Sequence, residues 1–254
     1  MERETYRYRI KFSKYGGMIF IGHLDLMRYF QKAIRRAGLP VSYSKGFSPH
    51  QKMSFASPLG VGKATNGDYM DIELDEPMDI GMIKNRMVNA VGEGVDIKNI
   101  VRLPDNAENA MASLFAAAYT IRFRSGHEKA LDPVLSKENS RNLNYRFRYF
   151  EDFLSQDKII YHKISKKSES DVDLKEGIFE YRIKDDEYVC ITLNASSSGS
   201  IKPIHLLEAY ADYVGVNRPK EIDFLITREE MYLKGSDGKL VPMDEVQDVY
   251  KERK

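Results

Sequence analysis

The first regular pattern in the chain is a strict alternation of apolar and basic residues over residues 6–12. Tyrosine, isoleucine or phenylalanine fills every second position, and this period of two is typical of a strand with one buried face. Apolar residues then recur every three or four positions over residues 23–37, before Gly38 and Pro40. That spacing predicts an amphipathic helix that ends at Gly38.

Three more patterned segments follow a loop-rich stretch at residues 42–63. Residues 68–74 alternate as a strand, residues 80–90 have the apolar spacing of a helix capped by Asp79, and residues 95–103 form a closing strand. Together these segments have the order β-α-(β)-β-α-β, which is the order of a ferredoxin-like unit.

A rougher copy of this order follows a linker predicted at residues 104–109. The predicted elements are strands at residues 118–123, 159–164, 178–183, 188–193 and 222–232, a helix at residues 144–154 and a second helix that ends at Gly215. We therefore predict an α+β protein of two tandem ferredoxin-like domains, which suits a length of 254 residues. The domains cover residues 1–104 and 117–234, and a charged tail at residues 235–254 follows them.

Composition restricts the classes of function. No segment approaches the ~20 apolar residues of a membrane span, and the charged opening Met1-Glu2-Arg3-Glu4 is unlike a secretory signal, so we expect no membrane partner and a cytoplasmic location. A lone Cys190 cannot hold an iron–sulfur cluster, and five scattered histidines lack the spacing of metal ligands. The sequence predicts no metal and no cofactor. Because the usual motifs of nucleotide hydrolases, dehydrogenases and α/β-hydrolases are also absent, a binding protein is favoured over an enzyme.

Charge is strongly segregated within a chain whose net charge is only +1. Residues 1–63 contain twelve Lys and Arg against three Asp and Glu, whereas residues 64–113 contain four against ten. A basic surface of this kind attracts polyanions even when the whole molecule is nearly neutral. Alternatively, the acidic residues 64–113 cover or neutralise the basic ones in the fold.

The loop after the first helix has the composition of a single-strand binding surface. Its cations would neutralise phosphates while its aromatic rings stack on bases. The candidate RNA-binding residues of this loop are Tyr43, Lys45, Phe47, His50, Lys52 and Lys63. The alternative is that the aromatic residues belong to the core beside an ordinary solvated loop.

The first helix supplies the other candidates. Arg28, Lys32 and Arg35 are four and three residues apart and therefore share one helix face, with Arg36 next to them. If this ridge lies beside the loop, the two could bind several consecutive phosphates, and RNA affinity would fall steeply with salt. A simple solvated helix face is the alternative.

Two histidines are candidates for catalysis. His23 stands at the start of the helix, where it could act as an acid or base or donate to a phosphate, or could pair with Asp25 as a capping residue. A metal-independent endoribonuclease would use His23 or His50, with Lys45 stabilising the developing charge.

Three ordered segments carry a family resemblance, namely GHLDLMR at residues 22–28, RRAGLPVSYSKGFSPH at 35–50 and SFASPLGVG at 54–62. They closely resemble the radical-SAM-associated (radical-SAM-linked) family of bacterial proteins, a domain of unknown function. The likeness continues weakly to Ile226-Thr227-Arg228, which is similar to that family's closing strand. Gly22 stands where family patterns usually have serine.

The resemblance implies a partner, because members of that family are fused to or encoded beside a radical SAM protein. This chain lacks the three-cysteine motif of such enzymes and would be their stand-alone companion. We therefore expect an RNA-binding or substrate-presenting protein that works with a radical SAM enzyme in tRNA or rRNA modification or processing. The alternatives are an endoribonuclease similar to CRISPR repeat-processing enzymes and a protein-protein adaptor. The oligomeric state is left open.

Overall fold

A computed structural model describes residues 5–128, 130–131, 147–164, 169–184 and 187–250. The chain divides into two compact units. The first unit comprises Met1–Ala116 and Arg228–Lys254, and the second comprises Ala117–Thr227. Among the described residues, no helix is both long and apolar enough to cross a bilayer.

Residues 6–113 contain four strands and three α-helices. They are β1 (Tyr6–Lys14), α1 (His23–Arg36), β2 (Met53–Phe55), β3 (Ala64–Leu74), α2 (Ile80–Ala90), β4 (Val95–Arg102) and the short α3 (Ala110–Ser113). Strand β1 pairs antiparallel with both β3 and β4, and β2 pairs antiparallel with β3. The predicted strand is confirmed, and Tyr8, Ile10 and Phe12 are buried in the core. The prediction that only one face is buried is wrong at Arg9, which is fully buried on the other face.

The following segment forms most of the second unit. Its elements are β5 (Ala116–Phe123), α4 (Phe150–Ser155), β6 (Ile160–Ile164), β7 (Glu169–Asp173), β8 (Ile178–Lys184), β9 (Tyr188–Asn194), α5 (Pro203–Val214) and β10 (Phe224–Lys234). Strand β9 lies between β5 and β8, and the start of β10 lies beside β5. Strands β6 and β7 form a separate two-stranded sheet.

Aromatic rings hold the second unit together. Phe150 contacts Phe147, Phe153 and Tyr210 with centroid separations of 5.5, 5.6 and 4.8 Å. The helix predicted at residues 144–154 is shorter in the structure, because residues 147–149 form a turn and α4 begins at Phe150. Residues 144–146 lie outside the described part of the chain, as do residues 185 and 186 of the predicted hairpin turn.

Strand β10 begins in the second unit and ends in the first, where it lies beside β3. The close approach explains a glycine in β3, because a Cβ on Gly67 would stand 2.6 Å from the carbonyl oxygen of Glu229. Strand β11 (Leu240–Pro242) then pairs antiparallel with β10.

The units differ from the domains predicted at residues 1–104 and 117–234. Residues 228–234 belong to the first unit, and so does the segment predicted as a charged tail at residues 235–254, of which 251–254 are outside the described residues. The physical reason is that this segment contains apolar side chains, and Met243 and Val246 are fully buried. The structure is therefore mixed α and β, as predicted, with the first unit assembled from both ends of the chain.

Candidate nucleic-acid interface

Residues 43–52, which we name the basic loop, form a turn closed at its base. The Ser44 N–H donates to the His50 carbonyl at 2.8 Å, and the His50 N–H donates to Ser44 Oγ at 3.0 Å. Two residues further out on each side, the Lys52 N–H donates to the Ser42 carbonyl at 2.8 Å. These bonds fix the two ends of the loop relative to each other.

Ser44 and His50 also meet through their side chains, with Oγ 2.8 Å from Nδ1. Ser44 Oγ also accepts the His50 N–H, and its contact with Nδ1 can run in either direction, because the hydroxyl can donate to a bare Nδ1 or accept from a protonated one. This contact closes the loop. His50 thus has a structural role that sequence reasoning did not anticipate.

The tip of the loop projects into solvent. Lys45 and Phe47 are exposed, and the phenylalanine has 111% relative exposure, the highest value of any large apolar residue described. Gly46 between them has φ of +116°, a conformation that a residue with a Cβ rarely adopts. The glycine therefore allows the sharp turn that presents Phe47.

The exposed ridge of α1 lies near this loop. Gln51 Nε2 donates to the carbonyl of Gln31 at 3.3 Å, which ties the base of the loop to the middle of the helix. Lys32 and Arg35 are exposed and form no ion pair with any described residue, and the same holds for Lys45. The structure thus brings the predicted helix ridge and the predicted loop to one region of the first unit.

The other two arginines of α1 are engaged. Arg28 pairs with Asp25 at 3.3 Å, but both side chains are about two-thirds exposed, so the pair contributes at most about 1 kcal/mol and can be exchanged for another anion. Arg36 donates from Nε and Nη2 to the carbonyl of Ala90 at 3.2 and 2.7 Å. Arg36 therefore joins α1 to the end of α2.

A cleft of about 670 Å³ lies along the basic loop. Its lining includes Tyr43, Lys45 and Lys52, three of the predicted RNA-binding residues. Tyr43 is about half exposed, and its hydroxyl accepts a hydrogen bond from Gln51 Nε2 at 3.4 Å. Lys63 is half-buried and is not among the residues that line this cleft.

The acidic segment neutralises part of the basic one, as the alternative explanation expects. Lys52 Nζ lies 2.6 Å from Glu73 Oε2. Arg9, fully buried, forms two hydrogen bonds to Asp71, of 2.8 and 3.0 Å. Lys52 and Arg9 are therefore paired with acidic residues of β3, while the cations at Lys32, Arg35 and Lys45 face solvent.

The second predicted histidine, His23, lies at a different place. Its ring packs edge-on against Phe55 with the centroids 5.3 Å apart. Beneath it is a buried charge cluster that sequence reasoning missed, formed by Lys14, Asp68 and Arg228. His23 is close enough to Asp68 that its protonated form would favour the ionised carboxylate. His23 and His50 therefore belong to separate groups of contacts.

Within this cluster, Arg228 Nη1 lies 2.6 Å from Asp68 Oδ1, and Arg228 Nη2 donates to the carbonyl of Pro58 at 3.2 Å. Burial raises the pKa of Asp68, against the opposing effect of Arg228. Lys14 is fully buried, and its Nζ has no hydrogen-bond acceptor among the described residues. Burial lowers the pKa of Lys14, although the charge of Asp68 acts in the other direction.

Within the part of the chain that the structure describes, no group of three or more His, Cys, Asp or Glu side chains could hold a metal ion.

A family model matches most of the chain. The family is described as "Uncharacterized protein conserved in bacteria (DUF2344)", and its model matches residues 7–203. This range includes most of β1, all of α1, the basic loop and Asp68. No curated protein matches the chain.

Proposed function

This chain belongs to that uncharacterized bacterial family, and from this premise we propose that it is an RNA-binding or substrate-presenting companion of a radical SAM enzyme. The RNA would be a tRNA or rRNA that undergoes modification or processing, and the complex would be cytoplasmic. The radical SAM partner is supported by the sequence resemblance of residues 22–28, 35–50 and 54–62.

One observation carries the RNA-binding proposal. Lys32, Arg35 and Lys45 are exposed cations without ion pairs to described residues, on two elements that are tied together through Gln51 and Gln31. Phosphates of one strand could bind to both elements, and the release of their counterions would drive association. An exposed aromatic ring next to the cations suits this ligand better than it suits a purely ionic protein surface.

We also propose that each unit is a ferredoxin-like domain. In the first unit β3 lies between β1 and β2, with β4 on the other side of β1. In the second unit β9 lies between β5 and β8, with β10 on the other side of β5. This is the neighbour order expected of a β-α-β-β-α-β unit. The β6–β7 hairpin would then be an insertion, and β11 an addition.

The proposal is tested by charge reversal. The variant with Lys32→Glu, Arg35→Glu and Lys45→Glu should bind bulk tRNA more weakly and with a shallower salt dependence in fluorescence anisotropy. Loss of three phosphate contacts should reduce the slope of log affinity against log salt by about 2 to 3.

A matched control reverses three exposed cations of the second unit, Lys158, Arg182 and Lys202, to glutamate. This control changes the net charge equally and should retain most of the affinity and the wild-type slope. Equal effects of the two triple variants would reject the proposed surface. Undetectable tRNA and rRNA binding by the wild-type protein at low salt would reject the RNA-binding function.

A further inference from the structure

Phe47 occupies an unusual position for an aromatic residue. Its side chain is fully exposed, although burial of a phenylalanine is worth about 1.5 to 3 kcal/mol. The neighbouring Lys45 is exposed as well, and the lining of the cleft beside the loop includes the half-exposed Tyr43. Two aromatic residues and an ammonium group are thus presented within five residues of chain.

The loop that presents Phe47 is fixed at its base. Backbone and side-chain hydrogen bonds join Ser44 to His50, and an isolated antiparallel bridge joins Tyr43 to Gln51. Because the base is already ordered in the free protein, little conformational entropy would be lost there when a ligand stacks on the ring. This pre-organisation would favour stacking on the ring.

The chemistry of the loop selects among nucleic acids. In a duplex, base faces are covered by neighbouring bases, and a projecting ring can reach only phosphates and shallow groove edges. Unpaired bases have accessible faces, and aromatic side chains bind them with little dependence on sequence. Lys45 and the ridge of α1 would hold the phosphates that flank such a base.

We propose that the basic loop binds unpaired nucleotides, with Phe47 stacking on a base and Lys45 contacting the adjacent phosphate. The substrate class is single-stranded RNA or the loop of a stem-loop, in preference to a continuous duplex. This inference rests on the proposed RNA-binding function and deepens it. Tyr43, whose hydroxyl is held by Gln51, would supply a second ring at the cleft.

The test compares two fluorescent probes, an oligouridine of about 12 nucleotides and a blunt RNA duplex of about the same length. The length of the oligouridine lies within the range of site sizes known for single-strand binding domains. Phe47→Ala should weaken oligouridine binding by about 5- to 100-fold, as expected for the loss of one stacked base. Duplex binding should change less than about twofold, since it depends on phosphate contacts. Phe47→Trp should retain oligouridine affinity.

Phe20 provides the matched control because it is the other strongly exposed phenylalanine of the described chain, at 66%, and lies outside the loop. Phe20→Ala should leave both affinities unchanged. The inference is overturned if Phe47→Ala has no effect, if it weakens both probes equally, or if Phe20→Ala matches its effect. It is also overturned if Phe47→Ala preserves RNA binding and abolishes copurification of a protein partner.

These results separate the two proposals. If the wild-type protein binds both probes and the triple charge reversal weakens both, while Phe47→Ala changes neither, RNA binding stands and the preference for unpaired bases fails. If the wild-type protein binds neither probe nor cellular tRNA and rRNA at low salt, the proposed function itself fails.

Discussion

Arg228 Nη1 lies 2.6 Å from Asp68 Oδ1, and both side chains are almost completely buried. The ion pair joins residues that are 160 positions apart in the chain. Through its second terminal nitrogen, the same guanidinium also contacts the carbonyl of Pro58. Arg228 therefore links the C-terminal segment both to β3 and to the loop after β2.

Substitution of Asp68 should severely destabilise the protein. Asp68→Asn removes the negative charge that compensates Arg228 and Lys14, and breaking a buried pair from one side costs about 3 to 5 kcal/mol. Urea denaturation followed by circular dichroism should show this loss in the free energy of unfolding. The exposed Asp105 is the control, since Asp105→Asn should change stability by less than about 0.5 kcal/mol. A loss below about 1 kcal/mol for Asp68→Asn would contradict this role.

Lys14→Met should stabilise the protein at neutral pH by about 1 to 3 kcal/mol, because it replaces a buried ammonium that lacks an acceptor among described residues. Burial holds the pKa of Lys14 below its ordinary value of 10.5, so protonation costs free energy in the folded state. That cost is present in full below the folded pKa and disappears as the pH rises towards 10.5.

The advantage of Lys14→Met should therefore shrink between neutral pH and about pH 10.5 in urea denaturation series. A variant that is less stable than wild type at pH 7 would show that the ammonium contributes favourably. Lys98→Met, at a partly exposed lysine of the same unit, serves as the comparison and should show no such trend.

Two histidines of the second unit, His162 and His205, should have pKa values on opposite sides of the ordinary histidine pKa. A hydrogen bond to Asp171 raises the pKa of His162, and Glu169 acts in the same direction while Arg218 opposes it. Burial lowers the pKa of His205, with Lys202 adding to the effect. NMR titration of the imidazole signals should give two separate titration curves, with the higher pKa for His162 and the lower pKa for His205.

Asp171→Asn provides the internal test of that assignment. It should lower the pKa of His162 and leave that of His205 unchanged, because Asp171 is hydrogen-bonded to His162, whereas the described charges that act on His205 are Lys202, Glu208, Lys163 and Glu221. If the signal with the higher pKa does not move in this variant, the assigned cause is wrong.

The closure of the basic loop can be measured without any ligand. Ser44→Ala removes the hydroxyl that accepts the His50 N–H, and loss of one such bond, about 1 kcal/mol, should speed hydrogen exchange of that amide by about fivefold. Ser48→Ala, at an exposed serine of the same loop, is the control and should leave this rate unchanged. Unchanged exchange in Ser44→Ala would show that the loop is held by other contacts.

Local patterns predicted the elements of the first unit because each main strand and helix has an apolar face in the core. The alternation of Tyr8, Ile10 and Phe12 was sufficient to identify β1. It could not show that Arg9, on the other face, is also buried, since part of the cover comes from Met243, whose carbonyl accepts a hydrogen bond from Arg9. Contacts between residues this far apart leave no periodic signal.

The exposed part of the candidate surface was predictable from the sequence, and the buried charges near it were not. Exposed cations at Lys32, Arg35 and Lys45 follow from helix spacing and loop composition, and the structure places them on tied elements. The burial of Lys14 was not predictable, because lysine is almost never fully buried. The charged groups that act on it, Asp68 and Arg228, are far from it in the chain.

The course of β10 has a practical consequence for dissecting the molecule. Because the first unit takes its final strands from beyond Thr227, the second unit is topologically an insertion between Ala116 and Arg228. A fragment that stops at the predicted boundary of residue 104 would retain Asp68 but lose its guanidinium partner. Conversely, a single proteolytic nick within the inserted unit should leave the first unit assembled from two polypeptides, so that it migrates intact on a native gel and separates only in denaturant.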